Sequence, residues 1–175
     1  MNKYRFIISI MIMCVLVVNI SMRSFATSYL NNPHYWDSVD TGKHLDYDGS
    51  SAYISYVAAG AGRWNNYKSG IIRHDTLLTI QDVDVIDVTG DVNGWAGQSY
   101  EGTMYFNTKK MEKLNAIQKT NVASHELGHH LGLGHNQGQN QLSSIMYWKA
   151  SVYSTLILLS QDDKDSYDDA YDNKY

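Results

Sequence analysis

The segment from His125 to His135 constrains the fold of this chain more than any other. Three of its four histidines, His125, His129 and His135, have the spacing that matters here, and Glu126 directly follows the first of them. Residues four apart on an α-helix lie on the same face, so the imidazoles of His125 and His129 project in the same direction. The fold must therefore present one face of a helix to the chain segment that follows it.

Three histidines at these spacings are typical of a catalytic zinc site. Imidazole nitrogen is a preferred zinc ligand, and two helical histidines need a third protein ligand. Gly132 and Gly134 allow the chain to turn sharply, so that His135 can return to the same point. Three protein ligands leave the fourth position open for water, as in catalytic sites. We predict one zinc ion bound by His125, His129 and His135.

Glu126 adjoins the first ligand on the helix, where it can reach such a water without binding the metal. It is predicted to accept a proton as zinc-activated water attacks a peptide carbonyl, and to pass it to the leaving amine. The sequence therefore favours internal peptide-bond hydrolysis. The alternative is a secreted zinc-bearing binding protein or adhesin that uses the same cleft without turnover, but a binding module needs no base beside zinc.

This segment resembles the signature of the metzincin metalloproteases. The family's three histidines, glutamate and glycine are matched by His125, Glu126, His129, Gly132 and His135. The resemblance implies that Gly132 supports the turn before the last ligand. It also implies a zinc-dependent protease that acts on peptide or protein substrates.

The chain after the signature is most similar to the matrixin branch of that family. Met146 resembles the methionine of a tight turn beneath the zinc, which implies a supporting role for its side chain, and Tyr147 beside it is expected to contact substrate. The run Leu159–Asp163 resembles the start of the family's final helix. Trp148 stands where matrixins usually have proline, and no tyrosine switch of the astacin type is present two residues after Met146.

The resemblance implies an α/β (α+β) metzincin-like zincin domain. Such a domain has a twisted mixed sheet with two helices, an active-site helix that carries the zinc motif, and an irregular C-terminal subdomain with a final helix. Hydrophobic patterns and turn signals agree with this order. They predict a short strand near 43–48, a helix from Ser50 or Ser51 through Trp64, strands at 71–80, 83–88, 95–100 and 102–108, the zinc helix at 115–131, and a last helix that begins with a Ser160–Asp163 capping box.

The first 26 residues are typical of an export signal. Lys3 and Arg5 precede an uncharged apolar run from Phe6 to Val18, and the segment ends in the small residue Ala26. Residues 27–175 are then expected to form one secreted, monomeric catalytic domain without a membrane anchor. Its formal charge is about −7, which makes nucleic acid a poor partner. The sole cysteine, Cys14, lies within the signal, so cysteine chemistry is excluded from the mature chain.

Other acidic residues and histidines suggest weaker alternatives. Calcium could bind near the third strand, although alternating aspartates more simply form a solvent-exposed face, so this ion stays unassigned. The acidic residues from Asp162 onward are expected to form a solvated helix face. His130 points about 100° away from its neighbouring ligand and is predicted to be structural. The carboxylates considered for calcium are Asp82, Asp84, Asp87 and Asp91.

Overall fold

The structure is a computed structural model that describes residues 38–90, 94–137, 141–149 and 154–174. The predicted export signal, residues 27–37 and Asp91 lie outside the described residues. The strands are β1 (Leu45–Gly49), β2 (Ile72–His74), β3 (Val83–Val88), β4 (Gly97–Tyr100) and β5 (Thr103–Asn107). The α-helices are α1 (Ile54–Asn65), α2 (Thr108–Met111), α3 (Ala116–His130) and α4 (Gln161–Lys174), and a 3₁₀ turn spans Gln141–Ser143.

The five strands form one mixed sheet in the order β2-β1-β3-β5-β4. Neighbouring strands from β2 to β5 are parallel, whereas β4 pairs antiparallel with β5 at the edge. Helix α1 packs against α3, and α3 also contacts β4. The predicted α/β fold with a mixed sheet and a final helix is confirmed. No helix in the described ranges is long and apolar enough to cross a membrane.

The contact between α1 and α3 brings two helix backbones unusually close. A methyl group at Gly60 would lie 2.9 Å from the backbone nitrogen of Ser124, so only glycine fits there. Trp64, one turn later, is fully buried and donates its indole N–H to the Ser124 carbonyl at 2.9 Å. This close packing fixes the position of the helix that carries the predicted zinc ligands.

The predicted strand at 71–80 is wrong beyond His74. The chain leaves the sheet because Asp75 and Thr76 bind the Thr79 side chain. The Thr79 hydroxyl donates to the Asp75 carboxylate and accepts the Thr76 N–H at 2.8 Å. Leu77 and Leu78, which made the segment look like a strand, are fully exposed at 104% and 96%. Local side-chain hydrogen bonds thus outweigh strand propensity here.

The helix starts follow short polar signals. Asn115 and Gln118 form a reciprocal capping box at the start of α3. Ser160 and Asp163 form the predicted one at α4, where the Asp163 N–H donates to the serine hydroxyl at 3.1 Å and the Ser160 N–H donates to the carboxylate at 2.8 Å. Helix α1 begins later than predicted, with Tyr53 as its N-cap in place of Ser50 or Ser51, and the Ser51 hydroxyl accepts the N–H of Tyr53 at 3.0 Å. These bonds satisfy donors that a helix leaves free at its first turn.

We expect Gly49→Ala to destabilise the fold by about 3 kcal/mol or more. Gly49 has φ of 152°, and a methyl group there would lie 2.1 Å from the Val85 carbonyl oxygen on the neighbouring strand. Gly62→Ala is the matched control, because no atom lies within 4 Å of a methyl group at that helix position. The control should be neutral or stabilising by up to about 1 kcal/mol. Urea unfolding of both variants measures the difference, and equal midpoints would contradict it.

Candidate active site

Three imidazoles converge at the C-terminal half of α3. The Nε2 atom of His125 lies 3.1 Å from Nε2 of His129 and 3.2 Å from Nε2 of His135. One ligand atom from each ring lies within 4.8 Å of the others. The structure thus brings together the three residues that the sequence singled out.

Backbone carbonyls fix which nitrogen of each helical histidine carries the proton. Nδ1 of His125 lies 2.7 Å from the Ile145 carbonyl oxygen, and Nδ1 of His129 lies 2.8 Å from that of Leu133. A carbonyl can only accept, so each Nδ1 is the protonated donor. In the neutral ring Nε2 then carries a lone pair, and two such lone pairs cannot hydrogen-bond to each other. Their convergence fits a cation between them.

Burial keeps these imidazoles neutral. It lowers the pKa of His125 to about 4 and that of His129 well below its usual value. His135 acts in the same direction on the pKa of both rings, and His125 acts so on that of His129. Burial lowers the pKa of the less enclosed His135 as well. Neutral imidazole is the form that binds a metal ion. A tetrahedral zinc site with bonds of about 2.0–2.1 Å separates its nitrogens by about 3.3–3.4 Å, which the observed spacing approaches.

Gly132 makes the turn that separates the helix from the third ligand. Its φ is 81°, a left-handed conformation that favours glycine. The turn is closed by a hydrogen bond from the Leu133 N–H to the Gly128 carbonyl at 3.0 Å. The same turn exposes the Leu133 carbonyl to His129, so one backbone reversal both orients the second ligand and brings His135 near the first.

Met146 lies fully buried beneath the zinc helix. A methyl group at Gly128 would lie 2.2 Å from its Sδ and 3.0 Å from the Trp64 ring, so the absence of a side chain at Gly128 makes room for both. Met146 therefore packs against α3, and its neighbour Ile145 supplies the carbonyl that orients His125. Support of the site by Met146 stays a prediction.

A buried carboxylate from α4 holds the turn that contains Met146. Asp163 accepts the Ser144 hydroxyl at 2.6 Å and the Ile145 N–H at 3.0 Å, besides its capping bonds. Its side chain is fully buried. The prediction of a solvated acidic face is therefore wrong for Asp163, because one capping residue also serves as the acceptor for a distant turn. The sequence offered no sign of this second role, because it identified Asp163 only as a member of the capping box.

Glu126 lies inside the same region and is 4% exposed. Burial raises the pKa of its carboxyl to about 8 in the metal-free protein, while a hydrogen bond from Ser99 acts in the opposite direction. The Ser99 hydroxyl lies 2.9 Å from Oε2 of Glu126. Ser99 was not identified from the sequence, because no local pattern links an edge strand to a residue 27 positions later.

Two aromatic residues follow Met146 at the surface. Tyr147 is half-buried, and its ring meets the Trp148 ring edge-on with centroids 6.1 Å apart. Trp148, which takes the place of the usual proline, is 58% exposed. Substrate contact by Tyr147 stays a prediction. His130, by contrast, is buried with Nδ1 2.8 Å from the Ser38 hydroxyl, and the cluster of converging imidazoles does not include it.

The carboxylates considered for calcium have protein partners. Asp87 accepts the Ser51 hydroxyl at 2.5 Å and the Ala52 N–H at 2.9 Å near the start of α1. Asp82 accepts the N–H of Asp46 at 2.8 Å. Asp84 is exposed on β3 and accepts a hydrogen bond from Gln81. Asp82 also lies near Asp40 and Asp46, but Asp46 is already held by Arg73 through two bonds of 2.6 and 2.7 Å.

The fold and the converging imidazoles define a class, the metzincin-type zinc metallopeptidases. The family model for Matrixin matches residues 39–172, so the chain belongs to the matrixin family. A solved structure of similar fold is archaemetzincin from Methanopyrus kandleri, with a TM-score of 0.54 and 12% identity over 77% of this chain and 99% of that chain. No curated protein sequence matches. The protein is therefore a zinc metallopeptidase, and peptides or proteins are its substrates.

We expect Asp163→Ala to lower the free energy of unfolding by about 3 kcal/mol or more, since it leaves buried donors unpaired. Zinc affinity should fall with it, because Ile145 would no longer be held where it orients His125. Asp172→Ala, which removes an exposed carboxylate from the same helix, is the matched control and should change stability by less than about 0.5 kcal/mol. Chemical unfolding and zinc titration measure both quantities. Unchanged zinc affinity in a destabilised Asp163→Ala protein would refute the connection.

Proposed function

We propose that the protein is a secreted zinc-dependent endopeptidase in which Glu126 acts as the general base. The observation that carries this proposal is a buried carboxylate on the same helix as two converging neutral imidazoles. Among the described residues Glu126 has no ion pair, and its hydrogen bond to Ser99 involves only one carboxylate oxygen, Oε2. Burying a carboxylate with so few partners costs free energy, and such residues are often found in active sites.

The ion would be held by His125, His129 and His135. When bound there, zinc supplies a Lewis acid that polarises a substrate carbonyl and lowers the pKa of water. Leu133 and Ile145 keep the two helical ligands in the tautomer that binds a metal. Gly132 and Met146 support the geometry from the turn and from beneath the helix.

Glu126 accepts the proton of the attacking water and donates it to the leaving amine. Burial raises the pKa of this carboxyl and so favours its protonated form. A cation held by the neighbouring histidines would favour the ionised form, so the group operates between two opposing influences. Such a balance suits a residue that must first take a proton and then release it.

The substrate would bind along β4. This strand is at the edge of the sheet and uses only one side of its backbone to pair with β5. An extended peptide can add to such an edge by main-chain hydrogen bonds, which do not depend on its termini. This binding mode supports cleavage of internal bonds, with Tyr147 as a contact beyond the cut bond. The apolar run after Lys3 and Arg5 supports export of the chain.

The alternative function is a zinc-bearing binding protein or adhesin without turnover. It would need the histidines and the cleft, but it gains nothing from a buried base. The two functions differ in what happens when only the proton-accepting ability of Glu126 is removed.

We expect Glu126→Gln to retain zinc while peptide cleavage falls by roughly 10²- to 10⁴-fold. Glutamine keeps the shape of the side chain but cannot accept the proton. The measurements are zinc content and turnover of one peptide, first found by mass spectrometry of a peptide library with and without a chelator. Equal turnover in both proteins would remove Glu126 from the mechanism. No turnover in either across the library would favour the binding protein.

We expect His135→Ala to lose most of the zinc, because two helical histidines alone make an incomplete site. His74→Ala is the control, since His74 lies on the opposite edge strand with a side chain that is 56% exposed. Elemental analysis should give one zinc per chain in the parent protein and in the control. Full zinc content in His135→Ala would mean that another residue supplies the third ligand.

A further inference from the structure

Two positions on β4 enclose the Glu126 carboxyl. The Ser99 hydroxyl lies 2.9 Å from Oε2 of Glu126 and 3.0 Å from the backbone carbonyl oxygen of the same residue. A hydroxyl has one proton to donate, and an ionised carboxylate is the stronger acceptor of the two. When Glu126 is ionised, the Ser99 hydroxyl therefore donates to its carboxylate.

Gly97 faces the same carboxyl from the other end of the strand segment. A methyl group at Gly97 would lie 2.8 Å from both Cγ and Oε1 of Glu126 and 2.7 Å from a methyl carbon of Val122. The Glu126 side chain thus occupies the space that a β-carbon at position 97 would fill. The strand at Gly97 limits the movement of this side chain near Cγ and Oε1, and Ser99 binds it at Oε2.

Exposure alternates along β4, and Gly97 and Ser99 lie on its less exposed face. Gly97 and Ser99 are half-buried, whereas Gln98 and Tyr100 are exposed. Successive residues of a strand point to opposite faces, so positions 97 and 99 face α3 together. One strand thereby holds the carboxyl on one face while its outer edge remains available for pairing.

We propose that Ser99 is a positioning residue for the hydrolytic reaction, which acts with Gly97 to fix the carboxyl of Glu126 for proton transfer. This inference rests on the proposed function, because it matters only if Glu126 is the base. With Oε2 bound to Ser99, Oε1 is the oxygen left to accept a proton. A glutamate side chain has several accessible rotamers, and holding one of them removes the cost of finding it in each turnover.

Replacing Ser99 by alanine tests this role. We expect kcat to fall about 10- to 100-fold, as for the loss of a hydrogen bond to a charged group, with KM changed by less than about threefold. Zinc content should be unchanged. Ser99→Thr keeps the hydroxyl and should restore most of kcat. Ser55→Ala, the same substitution at an exposed position of α1, is the matched control and should behave as the parent protein.

Gly97→Ala is a second variant that acts by steric contact and removes no hydrogen bond. We expect its added methyl group to displace the carboxyl and to lower kcat at least about 10-fold, with zinc retained. The variant keeps the proposal open to refutation if Ser99→Ala fails to fold. A parent-like kcat in folded Gly97→Ala or folded Ser99→Ala would overturn the proposal.

A double-mutant cycle distinguishes this proposal from the function on which it rests. If Ser99 acts through Glu126, then Ser99→Ala should change the residual turnover of Glu126→Gln by less than about twofold. A full additional loss in that background would show that Ser99 acts elsewhere, and would overturn the proposal while leaving Glu126 as the base. Parent-like turnover in Glu126→Gln alone would instead refute the proposed function itself.

Discussion

The metal-binding face of α3 depends on two hydrogen bonds that the helix does not make with itself. His125 donates to Ile145 and His129 to Leu133, and both carbonyls belong to chain that follows the helix. These bonds fix the tautomers and direct unprotonated nitrogens toward one another. Without a cation the lone pairs of His125 and His129 would face each other at 3.1 Å, which is unfavourable. Binding of the ion and completion of the fold are therefore parts of one equilibrium.

Close packing holds this arrangement in place from beneath. Gly60 has no side chain, which lets α1 pack closely against α3. Gly128 on α3 has none either, which makes room for Met146 and for the Trp64 ring. The interior of a protein is dense enough that a side chain with no free volume cannot shift without moving its neighbours. The position of α3, and with it that of the helical ligands, is thus set by its backbone contact with α1 and by the buried side chains of Trp64 and Met146.

The sequence predicted those parts that depend on residues close together in the chain. The ligand spacing of His125 and His129, the turn at Gly132 and the capping box at Ser160 are all local patterns, and each is found in the structure. Ser99 could not be found this way, because its partner is brought to it only when the edge strand packs on the helix. The strand that was predicted beyond His74 does not form for a different reason. The residues there do have strand propensity, but local hydrogen bonds to the Thr79 side chain turn the chain away from the sheet.

The bonds of Asp163 have a consequence for the order in which the site can form. The carboxylate that holds Ser144 and Ile145 belongs to the third residue of α4, close to the end of the described chain. During synthesis the histidine segment leaves the ribosome before this residue does, and domains fold as units as the chain emerges. The contact that orients His125 is therefore not held in place until Asp163 has been made and α4 can form. A nascent chain that has not yet reached α4 thus lacks the carboxylate that holds the turn beside its first metal ligand.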